Sequence, residues 1–164
     1  MPVNIERTIT SKVAQFTESF HRYPMFELHP RLNEDCITIG NFPLCRLLMM
    51  NDASYPWFIL VPQRPEVREM FELSLVDQQQ LMVESSLLSK AISEQFHADK
   101  INVAALGNVV PQLHVHHIAR FVNDPAWPAP VWGHAEANPY SDEKAATLVE
   151  AMRELFRDDL NRVN

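Results

Sequence analysis

No apolar stretch of the chain comes near the roughly 20 residues that a bilayer-crossing helix needs. The longest, such as LLMM and WFILV, are far shorter, so nothing reads as membrane-spanning. Cysteine is scarce: Cys36 and Cys45 stand without a CxxC spacing, which argues against a disulfide-stapled secreted domain and reads as a reduced cytoplasmic protein with two free thiols. The opening MPVNIERTIT has an early acid and no apolar run ahead of a small-residue cleavage site, so no secretion signal is expected. Basic residues are outnumbered, and a net charge of −7 excludes a general nucleic-acid binder, which needs a basic surface. A small anionic ligand is not excluded, because a local cluster of donors outweighs a distant field screened over about 8 Å. Internal repeats and low-complexity tracts are also missing.

What remains is the material of one soluble globular domain. The 164 residues suit a single core, and shares of 46% hydrophobic and 21% charged residues suit neither disorder nor a fibre. Ile9, Val13, Phe16 and Phe20 recur at helical spacing and predict an N-terminal amphipathic helix. MFELHP, CITIGN, CRLLMMN and WFILVP are short, apolar and separated by Pro, Asn, Asp or Gly, which predicts successive strands. Ser74 caps a helix with Asp77 three residues on and Leu81, Ser85, Leu88, Ile92 and Phe96 on one stripe. KINVAALG and PQLHVHHIARF predict an antiparallel strand pair, since the link between them is too short for a parallel crossover. A last helix starts near Ser141, with Ala145, Leu148, Met152 and Leu155 toward the core. Strands and helices in blocks indicate an α+β fold. The expected organisation is one domain over 1–164: a core of about 25–120, the N-terminal helix, and a C-terminal arm and helix.

That arm, VNDPAWPAPVWGHAEANPY, holds four prolines and two tryptophans. Loops of this length are ordered when functional, and Trp127 and Trp132 argue against disorder. The arm is read either as a hydrophobic cover or subunit contact, or as a wall of the substrate site.

The chemistry concentrates in VVPQLHVHHIARF. On a strand, Gln112, His114 and His116 share one face, while Leu113, Val115 and His117 share the other. Three polar groups projecting together are either the solvated face of an edge strand or a site for a polyanion. Imidazoles donate to phosphate oxygens, attack phosphorus and protonate leaving oxygens near neutral pH.

The stretch Gly107 to Ile118, GNVVPQLHVHHI, resembles the signature of the histidine-triad (HIT) superfamily, His-φ-His-φ-His-φ-φ, preceded in many members by Gly-Gln-Ser/Thr-Val. With the upstream order of strand, Asn, LVPQRP turn, capped helix and strand, the resemblance covers about Leu44 to Arg120. It is closest in kind to bacterial HIT-domain proteins resembling diadenosine-polyphosphate hydrolases. It implies a HIT-like fold, an antiparallel sheet of about five strands with packed helices. His114 matches the central histidine, which in the family attacks the α-phosphate and becomes nucleotidylated. His116 matches the third, which contacts phosphate and helps the leaving group depart. Gln112 replaces the first histidine, and Asn108, after Gly107, stands where many members carry a phosphate-contacting Gln. Asn51 lies within about two residues of a nucleotide-binding Asn. Trp57 takes the place of a fourth histidine found in several hydrolases, and is read as packing or as a surface on which a base stacks. Gln112 can orient His114 or hold a phosphate but cannot titrate. His117, at a normally apolar position, is read as a buried or interface histidine with a backbone partner.

The resemblance therefore implies a nucleotide phosphohydrolase that cleaves at the α-phosphate of a dinucleoside polyphosphate or nucleoside phosphoramidate through a nucleotidyl-histidine. No cofactor is required by this scheme, although a divalent metal such as Mg could accompany the nucleotide. The other readings are a nucleotidyl transferase or phosphorylase, a nucleotide-binding sensor without catalysis, and a metal-binding module built on His114, His116 and His134. The expected partners are a small nucleotide and a second copy of the chain in a homodimer, with no nucleic acid and no membrane.

Overall fold

The computed structural model describes residues 25–161. The helix expected around Ile9 to Phe20 lies outside the described residues. From residue 25 the chain runs as an extended segment into a short helix, α1 (Pro30–Asp35), then three strands, β1 (Cys36–Asn41), β2 (Cys45–Met50) and β3 (Trp57–Pro62). A 3-10 turn at Met70–Glu72 leads to the long helix α2 (Leu75–Phe96). β4 (Lys100–Ala105), β5 (Val115–Arg120) and α3 (Asp142–Leu155) follow. The five strands form one antiparallel sheet in the order β1-β2-β3-β5-β4, which is the α+β, HIT-like arrangement expected.

The caps are those the sequence announces. Ser74 Oγ accepts from the Asp77 N–H at 3.1 Å, and α2 ends on His97 in the left-handed conformation. Ser141 caps α3, whose first turn carries Asp142 and Glu143 against the positive end of the helix dipole. Three expectations fail. PQLHVHHIARF is a strand only from Val115, so Gln112 and His114 precede β5 instead of lying on it. MFELHP is not a strand: its last proline opens α1, capped by the His29 side chain, because proline is pre-set for the first helical turn. Leu155 is 42% exposed, and Val149 takes its place in the core beside Met152.

Apolar cores lie on both sides of the sheet. One unites Leu47, Phe58, Leu60 and Val115 with Leu81, Leu88 and Ile92 of α2 and Met152 of α3. The other joins Leu48, Trp57, Ile59 and Ile118 to Leu32 of α1 and to Ala126 and Val131 of the arm. The arm is thus a cover for the second face. It is fastened by Arg120 and Asp124, 1% and 3% exposed at the side chain, which pair at 2.7 Å. Arg120 also donates to Asn102 Oδ1 and the Ala129 carbonyl. On the helical side, buried Glu84 of α2 accepts from the N–H groups of Leu44 and Cys45, tying the β1–β2 turn to the helix. Among the described residues no helix is long and apolar enough to cross a membrane.

Candidate active site

Strand register sends neighbouring histidines to opposite fates. His116 stands opposite Ile59 on β3 and Ala104 on β4, whereas His117 stands opposite Phe58 and Val103. His117 therefore points into the helix-side core and is fully buried. Its Nδ1 lies 3.1 Å from the Val115 carbonyl and its Nε2 2.7 Å from Ser85 Oγ on α2. A carbonyl only accepts, so Nδ1 carries the proton and Nε2 accepts from the serine hydroxyl. Burial pushes the pKa of this ring down to about 4.

His114, immediately before β5, and His116 share the arm side, with ring centroids 4.8 Å apart. Nδ1 of His114 is 2.7 Å from the carbonyl oxygen of Gln112. The same logic puts the proton on Nδ1 and leaves the Nε2 lone pair free. Burial lowers the pKa of His114, with the charge of His29 adding to the effect against the opposing carbonyl bond, so the ring is neutral and nucleophilic at pH 7.

His116 has the opposite arrangement. The indole N–H of Trp57, its diagonal neighbour across the β3–β5 ladder, donates to His116 Nδ1 at 2.9 Å. Indole only donates, so Nδ1 is the bare nitrogen and Nε2 carries the proton. Trp57 and Trp132 meet this ring edge-on at centroid distances of 5.5 and 5.4 Å. Burial, with lesser contributions from His114 and His117, pushes its pKa down to about 3.

Gln112 acts differently from expectation. Its main-chain carbonyl orients His114, but its side chain is engaged elsewhere: Oε1 accepts from the His29 N–H at 2.9 Å and Nε2 donates to the Glu27 carbonyl at 2.8 Å. One of the two Nε2 hydrogens is spent on this segment, and the other is left for a group in the cleft that Gln112 lines beside His114. Trp57 also differs. It is 7% exposed, with its N–H committed to His116, so it offers no open platform for a base.

Two clefts adjoin these rings. One, of about 170 Å³, gathers His114, Gln112, Gly107, Asn108 and Arg68. At Gly107 a Cβ would sit 3.0 Å from the Val110 carbonyl, so any larger residue would crowd the turn. The other, of about 460 Å³, is lined by Asn51, Asp52, Tyr55, Trp57 and Trp132, with Arg31, Glu34, Asp35 and Glu136 among its remaining walls. The predicted site residues therefore fall into two groups, with His116 between Trp57 and Trp132 on one side and His114 on the other. Asn51 turns its side-chain oxygen to the Tyr140 N–H, 3.0 Å away, and so holds the arm as well as lining the cleft.

Sequence reasoning missed Asp52, whose Oδ1 accepts from the Ser54 and Asn138 N–H groups. The Asp-x-Ser spacing in NDAS was the available sign of that turn. It also missed His29 and Arg68, which carry no local signal. The indole N–H of Trp132 is buried without an acceptor among the described residues, an uncommon state for a buried donor. Among the described residues no three His, Cys, Asp or Glu side chains converge as metal ligands, and His134 lies exposed on the arm.

A histidine triad protein from Bradyrhizobium japonicum is 48% identical, superimposes with a TM-score of 0.78, and is matched over 80% of this chain and 98% of its own. One from Marinobacter aquaeolei VT8 is also 48% identical, with a TM-score of 0.81 and coverage of 83% and 99%. A diadenosine triphosphate hydrolase of Plasmodium falciparum, in complex with Cyclomarin A, shares the fold at 13% identity and a TM-score of 0.55, over 85% of this chain and 86% of its own. Among curated proteins none matches the chain. The family model described as HIT domain matches residues 31–123, more than half of the sequence, and the chain belongs to the HIT domain family.

Proposed function

We propose that the protein is a nucleotide phosphohydrolase that cleaves at the α-phosphate of a dinucleoside polyphosphate or a nucleoside phosphoramidate through a nucleotidyl intermediate on His114. The observation that carries this reading is the 2.7 Å bond from His114 Nδ1 to the Gln112 carbonyl, which aims an uncharged Nε2 lone pair from a cleft that also holds Asn108 and Arg68.

In the first step Nε2 bonds to phosphorus, and the bond to the leaving group breaks with its electron pair departing on that group. Asn108 and Arg68 are placed to hold the phosphate oxygens as charge builds on them. In the second step water attacks phosphorus, the P–N bond breaks, and the pair returns to Nε2. A nucleoside monophosphate is released, and dividing one difficult displacement into two is what covalent catalysis contributes. The larger cleft is rich in carboxylates, with Glu34, Asp35, Asp52 and Glu136 against Arg31. That composition disfavours phosphate and suits the hydroxyl and amino groups of a nucleoside. The unpartnered N–H of Trp132 supports the same assignment.

The test is a product screen with acid quench. Wild-type protein mixed with diadenosine polyphosphates is expected to release adenosine monophosphate and to yield a peptide containing His114 heavier by one nucleotidyl group. His114→Ala should still bind nucleotide and release none; near wild-type turnover in that variant would reject the mechanism.

A homodimer is part of the same proposal. Among the described residues β4 is an edge strand of the sheet, Val103 on it is 50% exposed, and α2, which packs over β4 and β5, exposes Val76, Met82 and Val83. An uncovered edge beside apolar side chains favours pairing with a second copy about a two-fold axis. Light scattering at micromolar concentration checks this, and a monomer there would reject it.

A further inference from the structure

We propose that Trp57 is a positioning residue that holds His116 as a neutral Nε2–H donor, and that this restricts the site to substrates whose leaving group departs unprotonated: phosphoric anhydrides rather than phosphoramidates. The proposal rests on the nucleotidyl-transfer reading above and deepens it.

The geometry is one-sided. The Trp57 indole has one hydrogen and no lone pair to offer, and it points that hydrogen at His116 Nδ1 from 2.9 Å, with both residues at least nine-tenths buried. Protonating Nδ1 would set two N–H groups against each other in a site closed by Trp132. His116 can therefore lend its single Nε2 hydrogen to an oxygen, but giving it up would leave an imidazolate.

The two substrate classes differ in what they ask of that hydrogen. When His114 Nε2 displaces a phosphate from an anhydride, the P–O bond breaks onto an oxygen that is stable as an anion, and a hydrogen bond from His116 is enough. When it displaces an amine, the P–N electron pair lands on nitrogen, which must gain a proton from an acid as the bond breaks.

Among the described residues no group in contact with His116 is such an acid, and the carboxyl in the His114 cleft is that of Glu69, beside Arg68. Just ahead of its strand His114 is the nucleophile, and on the strand His117 lies on the opposite face, bonded to Ser85 and Val115. On β3 stands Trp57, on β4 Ala104, and on the arm Trp132. Gln112 cannot titrate. The remaining histidine whose charge reaches His114 is His29, half-buried beyond Gln112 with its Nδ1 accepting from the Arg31 N–H.

The experiment has two arms on the full-length protein. In the first, nitrogen NMR of the histidine-labelled protein at pH 7 should give His116 a bare Nδ1 and a protonated Nε2; Trp57→Phe should lose that pattern. A protonated Nδ1 in the wild type, or an unchanged pattern in the variant, would overturn the positioning role whether or not the protein is an enzyme. In the second, kcat/KM is compared for diadenosine tetraphosphate and adenosine 5′-phosphoramidate. The anhydride should lead by about 100-fold, the scale of one missing general acid, and Trp57→His, which replaces the indole with a titratable ring, should narrow that ratio below pH 7. His29→Ala should leave the ratio as it is. Equal turnover of the two substrates, or a ratio that follows His29, would overturn the restriction. Should wild type hydrolyse neither substrate and form no adduct on His114, the nucleotidyl-transfer reading fails and takes the restriction with it, leaving the first arm to decide Trp57.

Discussion

His29 and Gln112, 83 residues apart, are joined by a 2.9 Å bond from the backbone N–H of one to the side-chain oxygen of the other. The partner bond from Gln112 Nε2 to the Glu27 carbonyl makes the glutamine a clasp that imitates one rung of a sheet. Gln112→Leu should cost about 2 kcal/mol, two hydrogen bonds at about 1 kcal/mol each. Gln112→His should fall between, since one imidazole cannot serve both groups at the same spacing. Urea midpoints check this. A wild-type midpoint in both variants would mean that the clasp adds nothing.

His117 predicts how the fold responds to acid. Its pKa in the fold is about 4, below the ordinary value of about 6.5, so the unfolded chain binds more protons between those limits. The stabilising effect is complete above about pH 6.5 and is lost as pH falls toward 4. From pH 7 to pH 5 this one residue should cost about 2 kcal/mol of stability. His117→Gln can still reach Ser85 and does not titrate, so it should flatten that part of the stability profile. Unfolding followed at the two pH values in both proteins gives the answer, and an identical slope would assign the effect elsewhere.

Among the described residues Asp124 is the sole carboxylate partner of the Arg120 guanidinium, which is 1% exposed. Asp124→Ala leaves that charge buried and unpaired, which costs about 3–5 kcal/mol. The arm should loosen with it, shifting the fluorescence of Trp127, which lies 5.7 Å from the Arg120 guanidinium, and of Trp132. The double variant Arg120→Met with Asp124→Leu should regain part of the loss, because an apolar pair of similar volume removes the stranded charge. A double variant no more stable than the single would contradict that account.

Asp52 ties the cleft wall to the arm through Asn138. Asp52→Ala should raise KM for a nucleotide by about tenfold, the loss of one charge-assisted bond of about 1.5 kcal/mol, and leave kcat close to wild type. The His114 adduct should still form at saturating nucleotide. A fall in kcat at constant KM would place Asp52 in the chemical step.

How much of this could be read from the sequence depends on how far apart the interacting residues lie. The strands at 36–41, 57–62 and 100–105 follow from local alternation and breakers, and Ser74 and Ser141 announce their helices within four residues. The separation of His116 from His117 follows from a period of two alone. By contrast, α1 has six residues, too few to establish a period, and its N-cap is a histidine outside the usual capping set. The Trp57–His116 bond spans 59 residues and depends on the diagonal of an antiparallel ladder, which no local pattern specifies. Arg120 carried a sign that went unused: a basic residue at an inward strand position with an acid four residues later. For Trp132, composition showed that the arm must lie against something, but not that it would lie against His116.

The carbonyl that orients His114 belongs to the main chain at position 112. A point substitution cannot remove it, since every amino acid presents the same oxygen there as long as the segment ahead of β5 keeps its path. The group that sets the proton on His114 is thus immune to ordinary sequence drift, and the side chain beside it is released for another duty. In this protein that duty is to bind the incoming segment. With glutamine at position 112, the chain therefore keeps the one atom there that fixes the tautomer of His114.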